Sequence, residues 1–109
     1  MVRSASLALD LTLVDASGAT LRREPLEFDE HEKLMTLAME LRLFQVLRLQ
    51  DYYADVRFGI GSLPNLEDDL RRLQARLPNG HELTELLNRF LDFVREASSR
   101  RLAIVAFAD

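Results

Sequence analysis

Between Leu7 and Leu13 apolar and polar positions alternate. Leu7, Leu9, Leu11 and Leu13 fall on one face and Ala8, Asp10 and Thr12 on the other, the period of two of a β-strand. Asp15-Ala16-Ser17-Gly18 follows with turn chemistry, and Gly18 is free to take a positive φ. The polar stretch Thr20-Leu21-Arg22-Arg23-Glu24 then returns before Pro25, so the pattern predicts a hairpin whose weak second strand lies at an edge. From Asp29 the period changes. Leu34, Leu37, Ala38 and Leu41 recur at steps of three and four, and Asp29 with Glu32 three residues on forms a variant capping box, predicting a helix over 29–41. Residues 43–49, LFQVLRL, fit either a further buried helical turn or a short extended segment.

Alternation resumes over Ala54–Ile60, with Val56, Phe58 and Ile60 opposite Asp55, Arg57 and Gly59. Asn65 is a suitable N-cap after Pro64, Leu66, Leu70, Leu73 and Leu77 make an apolar stripe, and Pro78 ends that helix near Arg76. After Asn79-Gly80, Leu83, Leu86, Leu87, Phe90, Leu91, Val94 and Ala97 predict an amphipathic helix over 81–98, antiparallel to its predecessor. The last stretch, Arg101 to Ala108, is apolar on both faces, the pattern of an internal strand, and its expected neighbour is the N-terminal strand. The expected fold is α+β. One domain over residues 1–109 holds a small, mostly antiparallel sheet, made of the hairpin, a middle strand and the C-terminal strand, covered by about three helices.

Composition changes this picture in a few places. A chain of 109 residues, 48% apolar and 29% charged, is one globular domain's worth of sequence. Cysteine is absent, which excludes thiolate chemistry, thiolate metal sites and disulfides. The apolar N-terminal stretch is interrupted by Asp10 and does not fit a secretory signal, and no run approaches a membrane span, so the cytoplasm is the expected location and no membrane is an expected partner. A net charge of −4, with Arg22-Arg23, Arg71-Arg72 and Arg100-Arg101 dispersed along the chain, gives no footprint for nucleic acid.

Candidate chemistry is sparse. His31 and His81 each precede a glutamate at the start of a predicted helix, but positions 35 and 85 are Met and Glu, so H-E-x-x-H is missing and solvated first-turn residues are expected. Gly59-Ile60-Gly61 lacks the remaining features of a nucleotide loop and reads as a hinge. Ser98-Ser99 sits at a helix end without a nucleophile elbow. No cofactor and no catalytic residue is expected. The acidic run Glu67-Asp68-Asp69 reads first as a helix N-terminal charge cluster and second as an exposed contact surface. The cluster Asp51-Tyr52-Tyr53-Ala54-Asp55 has three readings. It is a turn with one inward tyrosine, an interface of aromatic anchors beside steering charges, or a ligand or catalytic site. Alternation places Tyr52 outward and Tyr53 inward.

The order LTLVD, then LRLQDYYADVRF, then LPNLEDDLRRL, then a short final strand resembles small bacterial proteins of uncharacterised or immunity type found beside polymorphic and contact-dependent toxins. Residue detail supports the likeness over 47–73. The resemblance implies no catalytic motif. It implies neutralisation of a cognate toxin, here expected to be basic, by protein–protein contact through Asp51, Tyr52, Tyr53, Asp55, Glu67, Asp68 and Asp69. Two alternatives remain open: a small ligand-binding domain or enzyme of unknown reaction, and a homodimer built on an exposed sheet edge.

Overall fold

The computed structural model describes residues 9–52 and 54–108. Leu7, Ala8 and Tyr53 therefore lie outside the described residues. The elements run β1 (Leu9–Val14), β2 (Thr20–Leu26), α1 (Phe28–Leu41), a short 3-10 turn (Val46–Leu49), β3 (Val56–Phe58), a second 3-10 turn (Ile60–Ser62), α2 (Leu63–Arg76), α3 (Thr84–Arg100) and β4 (Ala103–Ala108). The four strands form one antiparallel sheet in the order β2-β1-β4-β3, so the two strands nearest the chain ends are adjacent and internal, as the apolar pattern of β4 requires.

Register explains which side of the sheet is the core. Leu9 stands opposite Leu26, Leu11 opposite Ala106, Leu13 opposite Ile104, and β3 adds Val56 and Phe58 to the same face. These side chains join Leu34 and Ala38 of α1, Leu66, Leu70 and Leu73 of α2, and Leu87, Phe90, Phe93 and Val94 of α3 in one continuous core. On the other face Thr12 is fully buried and donates its hydroxyl to the Val105 carbonyl at 2.8 Å, while Phe107 is 40% exposed. Ala103–Ala108 is thus internal to the sheet, although the cover on its second face is partial.

An arginine packs at each edge strand. On β2, Arg22 faces α3, its guanidinium over the Phe93 ring at 5.2 Å and bonded to Glu96 at 2.5 Å. On β3, Arg48 stacks over Phe58 at 4.5 Å and donates to the Arg57 carbonyl, a group that an added strand would otherwise use. The short β3 edge is a poor template for a second chain.

Several boundaries differ from the sequence reading. Pro25 is the sixth residue of β2 and not its stop, because an edge strand tolerates a missing N–H. The box that opens α1 is formed by Glu27 and Glu30, two residues before the expected pair. α2 starts at Leu63, with Pro64 inside the first turn where its missing N–H costs nothing. Glu67, Asp68 and Asp69 therefore sit beyond the first turn, and the dipole explanation for them lapses. β3 ends at Phe58, leaving Ile60 49% exposed. Continuing the register would pair Ile60 with Leu102, but the Leu102 N–H is already bonded to Ala97 in the cap of α3. That helix runs over Thr84–Arg100, two to three residues later than expected.

α1 and α3 both end on an arginine in the left-handed region, Arg42 at φ 56° and Arg101 at φ 58°. The next residue in each case is a buried leucine whose N–H reaches back to the last turn, Leu43 to Ala38 at 2.9 Å and Leu102 to Ala97 at 2.8 Å. Glycine is the least costly residue in this conformation. Arg42→Gly should therefore raise stability by about 0.5–1 kcal/mol, read as a higher urea midpoint at unchanged slope. A lower midpoint would show that the arginine side chain outweighs its backbone strain.

Candidate partner-binding surface

The aspartate–tyrosine cluster is first of all a joint between elements. Ala54 N–H closes a turn on the Asp51 carbonyl at 3.2 Å. Tyr52 is 7% exposed, and its hydroxyl donates to the Leu26 carbonyl at 3.1 Å. Its ring meets Phe28 edge-on at 5.2 Å and His31 at 4.8 Å. Tyr52 is thus inward, the reverse of the alternation argument, because the turn breaks the strand period before β3 begins. Asp55 has its Oδ1 on the Ala108 N–H at 2.9 Å, tying the joint to the end of β4.

His31 completes the joint. It is 6% exposed, and its Nε2 lies 2.6 Å from the Leu49 carbonyl. A carbonyl only accepts, so Nε2 carries the proton. The expectation of a solvated first-turn histidine fails for His31, and His81 is half-buried ahead of α3, its Nδ1 accepting the Leu83 N–H at 3.0 Å. Neither belongs to a metal cluster: among the described residues no three His, Asp or Glu side chains could hold an ion.

The acidic run separates in space. Asp69 is buried at 8% exposure and accepts the N–H groups of Gln45 at 2.8 Å and Val46 at 3.3 Å, fixing the turn after α1. It is a structural carboxylate and not part of an exposed contact surface. Glu67 is half-buried and takes two bonds from the Arg71 guanidinium, at 3.0 and 2.7 Å, with Arg95 at 3.7 Å. Asp68 alone of the three is exposed.

What the joint builds is a groove. The 50–52 segment, held by Tyr52 and His31, lies beside α1 and leaves an open apolar channel of about 420 Å³. The channel is lined by the buried Met35 and the exposed Phe28 and Met39, with the exposed carboxylates of Glu32 and Asp51 at its margin. Phe28 is 47% exposed and Met39 66%. Positions 28, 32, 35, 36 and 39 follow one another at helical steps, so the whole channel runs along one side of α1. The sequence signal for it was present: α1 carries Phe28, Met35 and Met39 off the Leu34-Ala38-Leu41 stripe, an apolar surface wider than one packed face needs. Of the residues singled out from the sequence, Asp51, Tyr52 and His31 line this surface.

Charged pairs with displaced titration lie elsewhere. Lys33 and Glu82 hydrogen-bond each other, which raises the lysine pKa and lowers that of the glutamate. At the β1–β2 turn the Ser17 hydroxyl, followed by the Ala19 N–H, holds the Asp15 carboxyl below its ordinary value. Both are local ties between surface elements. Among the described residues no helix is long and apolar enough to cross a membrane. Comparison with protein-family models, curated proteins and solved structures finds no match for this chain, so its function has to be read from its own surface.

Proposed function

We propose that this chain is a binding protein of the immunity type, which neutralises a cognate toxin by covering part of the toxin's surface. The observation that carries the reading is the α1 groove: an apolar channel with two strongly exposed anchors, Phe28 and Met39, under an acidic rim. A docked apolar side chain would gain roughly 25 cal/mol for each Å² removed from water. The glutamate and aspartate at the rim favour a basic partner, as does the net charge of −4, and would act mainly on encounter rate and orientation. Methionine walls adapt to the shape of whatever enters. The partner in this reading presents an apolar segment flanked by Lys or Arg.

The test uses the purified product of the neighbouring reading frame. Met39→Ser and Phe28→Ser should each weaken its binding by about tenfold or more, as anchor truncations do. For Met39→Ser the thermal midpoint should stay within a degree or two of the parent, since that side chain is largely in solvent. Raised salt should slow association by screening the rim. Producing the parent chain alongside that protein should relieve its toxicity, and the Met39→Ser chain should do so less well. Unchanged affinity in both variants would rule out the groove as the docking site.

A further inference from the structure

Beside the groove lies a second exposed surface, of mixed charge. The chain leaves α1 through Arg42, Leu43 turns into the core, and Phe44 is left 71% exposed, more than any other large apolar side chain among the described residues. The backbone on both sides of it is held. The buried Asp69 carboxylate holds the backbone just after it, and Arg72 reaches the Leu41 carbonyl just before it at 3.4 Å. Around Phe44 is an open cleft of about 670 Å³ lined by Arg42, Arg71 and Arg72 together with Asn65, Asp68 and Asp69. Arg71 is tied to Glu67 and Arg72 reaches back to Leu41, while Asp69 is turned to the backbone of Gln45 and Val46, so the cation that stands exposed next to Phe44 is Arg42.

Phe44 with Arg42 next to it therefore stands just past the end of the acidic-rimmed apolar groove: Met39, in the groove, is three residues from Arg42. A two-fold interface needs one patch that is complementary to itself, and an aromatic ring with an arginine beside an apolar groove with acidic residues supplies both halves of one. We propose that the chain forms a two-fold dimer in which Phe44 of each copy enters the α1 groove of the other, with Arg42 facing Glu32 across the interface. The edges offer no equivalent route, since Arg48 occupies the β3 edge and β2 presents charged residues. The inference rests on the groove assigned above and adds its regulation. A second copy covers the binding surface, and a toxin must displace it, so apparent affinity for the toxin falls as the chain is concentrated.

Sedimentation of the full chain, from micromolar to hundreds of micromolar concentration, tests this without any partner. A monomer–dimer equilibrium is expected. Phe44→Ser should raise its dissociation constant by about tenfold or more with the thermal midpoint retained, and should tighten apparent binding of the neighbour-encoded protein at high concentration. Arg42→Glu and Glu32→Arg should each weaken the dimer, and the double exchange should restore it. A chain that stays monomeric throughout, a dimer indifferent to Phe44→Ser, or an open series of larger species would each overturn the proposal. A monomer that still binds the neighbouring protein would overturn the dimer alone, whereas a dimer of the expected sensitivity that binds no such protein would overturn the immunity reading alone.

Discussion

A chain ending at Arg101 should not fold. β4 is the strand that joins the two halves of the sheet: it pairs with β1 on one side and β3 on the other, and β3 has no other neighbour among the described strands. Removing it strips one side of β1 of its ladder and leaves β3 without one, and unpaired buried backbone groups are costly. It also removes Leu102, Ala103, Ile104 and Ala106, all buried, from a core that closes around Leu11, Leu13 and Phe58. The combined loss exceeds the roughly 5–15 kcal/mol that a domain has to lose. The expected result is a far-ultraviolet spectrum without a cooperative thermal transition. A graded variant keeps the test quantitative: Ile104→Ala, in full-length protein, should cost about 2–5 kcal/mol. A truncated chain with a sharp transition would mean that β1 and the helices form a core without β4.

The sequence was most legible where one period ran without interruption. Leu9, Leu11 and Leu13 declare their strand by alternation, Leu86 to Ala97 declare α3, and the two-sided apolar run Ala103–Ala108 declares an internal position, because each pattern has a single physical solution. Legibility failed at junctions, where a residue has two acceptable places. Pro64 fits equally before a helix or in its first turn. Glu27 and Asp29 each have an acid three residues on, so either could open α1, and the backbone chose the earlier pair. The helix ends at Arg42 and Arg101 carry no glycine; their stop signal is the buried leucine that follows, which only the fold makes apolar in context.

Site residues failed for a related reason. Acidic side chains close together in sequence point in different directions on a helix, so Asp68 and Asp69 share neither exposure nor role. The buried one does its work on Gln45 and Val46, contacts more than twenty residues away that no local pattern encodes. For the exposed anchors the surplus of apolar residues on α1 was a signal, but not a sufficient one. Phe28, Met39 and Phe44 are single apolar residues in ordinary surroundings, and their meaning depends on which side of α1 the 46–52 segment covers.

Tyr52 is where the turn and the interface readings part, and its substitutions should separate them. The ring is buried against Phe28 and His31, and the hydroxyl bonds the carbonyl of Leu26, the last residue of β2. Tyr52→Ala should therefore lower stability by about 3–5 kcal/mol, the range for deleting a buried aromatic ring. Tyr52→Phe keeps the ring and removes the donor to Leu26, at a cost of about 1 kcal/mol. Both would appear as lower urea midpoints. Measured under conditions where each variant is folded, intrinsic affinity for the partner should change little with Tyr52→Phe, since the hydroxyl points into the protein and not into the groove. With Tyr52→Ala it should fall, because the 50–52 wall loses its anchor and the groove loses its shape, and the fall should accompany the loss of stability. A Tyr52→Ala protein as stable as the parent but deprived of binding would place the ring on the partner side, and would restore the tyrosine itself as the contact.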